Sequence, residues 1–267
     1  MLGFDMRSQA GRIRFRDLRR RFDRAAARFD EADFVHRRVA AGLMSRLAPM
    51  LIDARWILDL GGATGSAARG LRRRFKRSRV IVFDASREML RQAMRKRTWF
   101  SRLSVLQANA MALPLKTGSV DLVFSNLLLP WIDEPGVMLA EVARVLRKDG
   151  LFVFSAVGPD TLSEIREAWA GADEGPHVND FADMHEVGDG LVRAGLRDPV
   201  LDIDFLNVSY TDTASLFEDL SLVGGRNSLC GRRRTLTGKD RFRSMQRELE
   251  GRFKDGLLEL RLEIVYG

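Results

Sequence analysis

Residues 57–65 read "ILDLGGATG": a short apolar run, one acid, then three glycines within five positions. An apolar run of this length with a buried-strand character, followed at once by residues without side chains, predicts a turn that brings backbone close to a ligand. A helix starting just after such a turn offers unsatisfied N–H groups at its first residues. The segments around it repeat the rhythm. "RWILDL" (55–60), "RVIVFD" (79–84), "LSVLQAN" (103–109), "SVDLVFSN" (119–126) and "LFVFSAV" (151–157) read as strands. Between them "SAARGLRRRF" (66–75), "SREMLRQAMRKR" (86–97) and "PGVMLAEVARVLRKDG" (135–150) read as helices, the last expected to close on Gly150 as a C-cap.

Alternation of this kind implies right-handed crossovers and a parallel sheet, with ligands beyond the carboxyl ends of the strands. Asp59, Asp84, Asn109 and Asn126 all fall at such ends. Beyond Gly158 the pattern loosens into helices at 160–170, 181–195 and 213–225, an alternating edge strand "PVLDIDFLNVSY" (199–210) and a final strand "LELRLEIVYG" (258–267). The expected fold is therefore α/β, a doubly wound, mostly parallel seven-stranded Rossmann-like sheet. It carries an N-terminal helix, expected over Leu18–Leu47, and a helical insertion before the last strand. Residues 1–50 form a basic helical segment or lid, and residues 51–267 the main domain, with embellishments at 158–195 and 211–257.

Composition narrows the function. The 267 residues are 45% hydrophobic and 30% charged, as in ordinary globular proteins. No apolar stretch approaches the ~18 residues that span a bilayer, no secretory signal opens the chain, and the one cysteine, Cys230, excludes a disulfide framework or a cysteine-based zinc site. A cytoplasmic setting fits. The net charge of +8, dense over residues 12–29 and 226–243, suits an acidic partner. Nucleic acid is disfavoured, since no reading motif accompanies the arginines.

Two glycine patterns compete at the first turn. The dinucleotide fingerprint G-x-G-x-x-G, started at Gly61, fails at Ala63 and Ser66. The pattern acid-x-G-x-G-x-G matches at Asp59, Gly61 and Gly65, with Gly62 between, and misses only at Ala63. It resembles the first motif of class I S-adenosylmethionine-dependent methyltransferases. Asp84, with Ala85 beside it, is placed to accept hydrogen bonds from both ribose hydroxyls, or alternatively to cap the helix that begins near Ser86. "ANAMALPL" (108–115) resembles the family's third motif, which implies that Asn109 and the backbone of Ala110 hold the adenine edge. Met89 lines the adenine or fills the core. "SVDLVFSNLLLPW" (119–131) resembles the fourth motif, implying that Asn126 lies under the sulfonium. The tetrapeptide used for amino-methylation of bases is absent there.

A closer resemblance spans most of the chain from Phe22. "FDRAAARFDEADFVHRRVAAGLMSRL" (22–47), "GPDTLSEIREAW" (158–169), "FADMHEVGDGLVRAGLRDPVLD" (181–202) and "EIVYG" (263–267) look like the malonyl-acyl-carrier-protein O-methyltransferases of biotin synthesis. Methyltransferase-like assembly factors of respiratory complex I, which hydroxylate arginine or chaperone a protein partner, share these blocks and form the alternative. The resemblance implies S-adenosylmethionine as methyl donor and, as partner, an acidic acyl carrier protein bearing a malonyl group. Its carboxylate is already ionised at neutral pH, so no general base is required. Arg166 is the expected carboxylate anchor, with His185 and Trp131 completing the substrate pocket; Phe22 and Phe29 are candidates for an apolar lid. The N-terminal arginines and residues 226–243 are candidate docking faces for the carrier, and reversing Arg232, Arg233 and Arg234 is expected to slow its turnover.

Overall fold

The computed structural model describes residues 14–97, 103–172, 175–225, 227 and 238–267. Seven strands form one sheet in the order β3-β2-β1-β4-β5-β7-β6. They are β1 (Trp56–Leu60), β2 (Arg79–Asp84), β3 (Leu103–Gln107), β4 (Val120–Asn126), β5 (Leu146–Val157), β6 (Asp202–Tyr210) and β7 (Leu258–Tyr266). β1 to β5 pair in parallel, and β7 runs antiparallel to both β5 and β6. The chain order reverses between β1 and β4, whose carboxyl ends therefore open a crevice.

Covering both faces of the sheet demands strands that are apolar throughout. In β1, Ile57 faces one core while Leu58 and Leu60 face the other. The first face is covered by α3 (Phe34–Leu47), α4 (Ser66–Arg74) and α5 (Arg87–Arg95), which contribute Leu43, Leu71 and Leu90. The second is covered by α6 (Pro135–Val145) and α8 (Met184–Arg193), through Met138, Val142 and Leu191. A third core forms where α7 (Ser163–Ala170), α9 (Thr213–Leu222) and α10 (Lys239–Glu250) pack on β7, around Ile165, Leu216, Met245 and Leu260. α10 lies in the basic stretch that the sequence reading left without an assigned element.

The N-terminal segment is three helices rather than one: α1 (Phe15–Ala25), α2 (Phe29–Ala32) and α3. Arg28 and Asp33 leave helical geometry and divide the segment, with α1 packing on α5 and α2 on α9. Val39, Leu43 and Leu47 of α3 are buried in the same core as Ile57, so this helix is built into the main domain. The expected C-cap at Gly150 is also corrected. α6 ends at Val145 because the apolar Leu146 turns to extended backbone and pairs with Val120, starting β5 early. Asp149 takes a left-handed φ of 62°, and residues 147–150 are accommodated as an irregularity before Leu151 pairs with Leu122. β3 ends at Gln107, because Asn109 opens a turn: its Oδ1 accepts from the Met111 N–H at 3.0 Å.

The "GPDT" stretch is explained by a carboxylate inside the protein. Glu263 of β7 is buried, and its Oε2 accepts from the Asp160 N–H at 3.0 Å. Thr161 Oγ1 donates to the Glu263 carbonyl and accepts from its N–H, both at 3.1 Å. Any Cβ at Gly158 would collide with this carboxylate. Glycine is required there by close approach.

Candidate active site at the strand ends

Three cavities meet beyond β1, β2 and β4. The first is narrow, about 80 Å³, and runs from Asp84 and Ala85 past Met89, Asn109 and Ala110 to Asn126 and Trp131. The second, about 440 Å³, lies against the glycine turn and is more polar than the other two, with Asp59, Gly61, Gly62, Arg37, Arg69 and Arg73 in its wall. The third, about 520 Å³, is a largely apolar channel between the sheet end and the helical insertion, bounded by Trp131, Trp169, Phe217 and Phe242 among others.

The glycine turn holds its shape through the left-handed conformations of Gly61 (φ 75°) and Gly65 (φ 77°). Ala63 adopts one as well, φ 44°, so the fold imposes glycine's geometry on a residue with a side chain. Gly62 makes room for Asp59, whose Oδ2 would lie 2.6 Å from a Cβ at that position. That oxygen is buried and has no hydrogen-bond partner. Burial, and then the nearby Asp84, push the Asp59 carboxyl up to about 7; the Ala68 backbone N–H acts the other way. A buried carboxylate with a free oxygen suits a cationic ligand group.

Both carboxylate oxygens of Asp84 accept from backbone N–H groups. Oδ2 accepts from the Ala63 N–H at 3.1 Å, tying the two strand ends together, and Oδ1 accepts from the Ser86 N–H at 2.8 Å. The helix cap itself falls to Ser86, whose Oγ accepts from the Met89 N–H. Burial raises the Asp84 carboxyl to about 6 against these backbone donors. Met89 is buried against Phe29, with Phe22 and Ala63 packed beside them, so the two phenylalanines are core and cavity wall together. Asn126 donates to the His36 carbonyl at 3.1 Å and accepts from Ser155 Oγ at 2.9 Å.

α1 and α2 close the crevice. Phe15, Leu18 and Phe22 line the narrow cavity, and Asp23 accepts from Ser86 Oγ at 2.7 Å. Thr64 Oγ1 of the glycine turn donates to Asp30 at 2.5 Å, and Asp30 also pairs with Lys96. Phe22 meets Trp131 edge-on, with ring centroids 5.5 Å apart.

The substrate side departs from expectation. Trp131 forms a wall common to the narrow cavity and the apolar channel. Arg166 instead turns its guanidinium onto the Pro159 and Asn179 carbonyls, at 3.2 and 3.4 Å, and clamps the loop rather than lining the channel. His185 is exposed on α8: Val187 and Leu191 are the residues this helix buries, which leaves position 185 outside. The other two histidines stand at the cavities. His177 stacks on Trp169 in the channel, centroids 3.7 Å apart, and His36 lines all three cavities. Sequence reasoning missed both, because a single histidine within an amphipathic helix or a polar loop carries no spacing signal. Arg232, Arg233 and Arg234 lie outside the described residues.

A family model described as a methyltransferase domain matches residues 58–154, from β1 to the middle of β5. Malonyl-[acyl-carrier protein] O-methyltransferases are similar over nearly the whole chain. The protein of that name from Laribacter hongkongensis is 40% identical over 94% of this chain and 87% of its own length. That from Gallionella capsiferriformans is 36% identical over 94% and 88%. This chain belongs to the malonyl-[acyl-carrier protein] O-methyltransferase family. The fold has a wider kinship: a crystal structure of a methyltransferase-like protein from Bacillus halodurans superposes with a TM-score of 0.61 at 15% identity, covering 85% of this chain and 96% of that one. Family membership favours methyl transfer over the assembly-factor alternative, and S-adenosylmethionine is the family's methyl donor. Among the described residues no helix is long and apolar enough to cross a membrane.

Proposed function

We propose that this chain transfers a methyl group from S-adenosylmethionine to the free carboxylate of a malonyl group borne by an acyl carrier protein, an early step of biotin synthesis. The observation that carries this reading is the meeting of a narrow cleft beside Asp84 and Asn109, a cavity at the glycine turn into whose wall Asp59 brings a buried oxygen without a partner, and an apolar channel, with His36 in the wall of all three. Asp84 would hold the ribose, Asn109 and the backbone of Ala110 the adenine edge, and Met89 the adenine face. Gly61, Gly62 and Gly65 let backbone approach the methionyl portion, and Asp59 offers its free oxygen to a positive charge. The donor supplies an electrophilic methyl on a sulfonium. An attacking carboxylate oxygen forms the new C–O bond while the S–C pair returns to sulfur, giving a methyl ester and S-adenosylhomocysteine.

The protein's own work is alignment and exclusion of water. Holding nucleophile and methyl in line is worth several kcal/mol, on the order of 7–11 at best. The apolar walls of Trp131, Leu127 and Leu162 strip hydration from the carboxylate, and the α1 and α2 cover keeps the crevice dry. Rescue of biotin-requiring cells tests the reading. The wild-type chain is expected to restore growth without biotin, and Asp84→Ala to fail; growth restored equally by both would remove Asp84 from the scheme, and no rescue by either would count against the biotin step.

A further inference from the structure

An anionic substrate led down an apolar channel must be met by a donor at its end, and the channel's described wall contains no lysine or arginine. Arg166 is engaged by backbone carbonyls. His36 alone among the described residues lines all three cavities, which places its ring where donor and acceptor must converge. Its backbone is fixed there through Asn126, itself held by Ser155, and Ser155 Oγ also accepts from the Leu127 N–H at 3.1 Å. The imidazole packs on Phe29 with centroids 5.1 Å apart. Its Nδ1 is buried without a partner, so a hydrogen bond to a ligand would fall to Nε2.

We propose that His36 is the residue that receives the substrate's reacting carboxylate, donating one hydrogen bond from Nε2–H as a neutral imidazole. This rests on the function proposed above and adds the group that selects a carboxylate in that site. With Nδ1 enclosed, the proton belongs on Nε2, since an unpaired acceptor is tolerated better in the interior than an unpaired N–H. Burial holds the ring well below its usual range, at about 4, so it carries no charge at neutral pH. A neutral donor orients the anion without quenching it. An arginine fork would bind the ground state more tightly and lower the carboxylate's nucleophilicity, a grip that raises affinity without raising turnover.

The test compares His36→Phe, which keeps the ring packing on Phe29, with His36→Leu and with His36→Gln, which retains an N–H donor. Two quantities are read: S-adenosylhomocysteine affinity by calorimetry, and the binding preference for malonyl- over acetyl-carrier protein in its presence. Loss of a hydrogen bond to a charged group predicts that His36→Phe and His36→Leu lose about 10- to 100-fold of the malonyl preference. S-adenosylhomocysteine affinity should stay within about twofold, with kcat/KM for malonyl-carrier falling in step with the preference and His36→Gln recovering most of it. An undiminished malonyl preference in either apolar variant overturns the proposal. So does a parallel fall in S-adenosylhomocysteine affinity, which would assign His36 to the donor. A wild-type chain that ignores malonyl-carrier would instead sink the proposed function, and this assignment with it.

Discussion

At Ala63 two effects oppose each other: a backbone that favours glycine and a methyl group packed near Phe22 and Phe29. A left-handed residue with a Cβ costs about 1–2 kcal/mol, and glycine's greater freedom in the unfolded chain returns part of that. Ala63→Gly is therefore expected to stabilise the fold by about 0.5 kcal/mol in urea titration; a loss beyond about 1 kcal/mol would mean that the methyl contact dominates. Asp59 makes a sharper prediction. Its carboxyl stands near 7 in the folded chain against an ordinary 3.8, so the folded state holds its proton longer than the unfolded state does. The stability it contributes is complete below 3.8 and is lost as the pH rises through about 7, by at most ~1.4 kcal/mol per pH unit. Asp59→Asn should remove that decline, so the variant gains on the wild type between pH 5 and pH 7.5 in the absence of ligand. Equal pH slopes in the two proteins would contradict the assignment. Asp59 and Asp84 stand out in the sequence because each is a carboxylate at the end of an apolar run. His36 was not, since only the convergence of α3 with the ends of β1 and β4 gives it a role.

Among the elements, the N-terminal helices divide by their packing. α3 contributes Leu43 and Leu47, both fully buried, to the main core, whereas α1 covers the narrow cavity and is tied to the α5 cap through Asp23. Leu43→Ala is expected to cost about 2–5 kcal/mol of stability. Phe22→Ala should leave folding nearly intact and weaken S-adenosylmethionine binding by roughly 3- to 10-fold, the effect of a lost aromatic wall. The same dependence should appear as protection of α1 from limited proteolysis by S-adenosylhomocysteine; cleavage at an unchanged rate would show that the helix is no lid. The break into three helices was hidden in the sequence because no proline or glycine marks Arg28 or Asp33. The early start of β5 was hidden for a related reason: Leu146 reads equally well as a last helical turn, and its pairing with Val120 decides between them.

Taken whole, the molecule joins a narrow cleft at the strand ends to an apolar channel, with His36, Leu127 and Trp131 in the wall of both. The seven-stranded, mostly parallel sheet was readable from short local patterns, since apolar runs alternate with helical ones from residue 55 to residue 157. The apolar channel was not, because it is assembled from segments far apart in the chain: the N-terminal helices, the 3₁₀ turn at Trp131, α7, and the insertion carrying α9 and α10. Arg166 and His185 were chosen for their chemistry, and packing sent one to backbone carbonyls and the other to solvent. The central claim is that this arrangement methylates a malonyl carboxylate on a carrier protein. Intact-mass spectrometry of malonyl-carrier protein, incubated with the chain and S-adenosylmethionine, reads that event directly. The carrier is expected to gain the mass of a single methylene, and cleavage of its thioester should carry that added mass away with the acyl group, while acetyl-carrier protein stays unchanged. A malonyl-carrier of unaltered mass, or an acetyl-carrier modified equally, would contradict it.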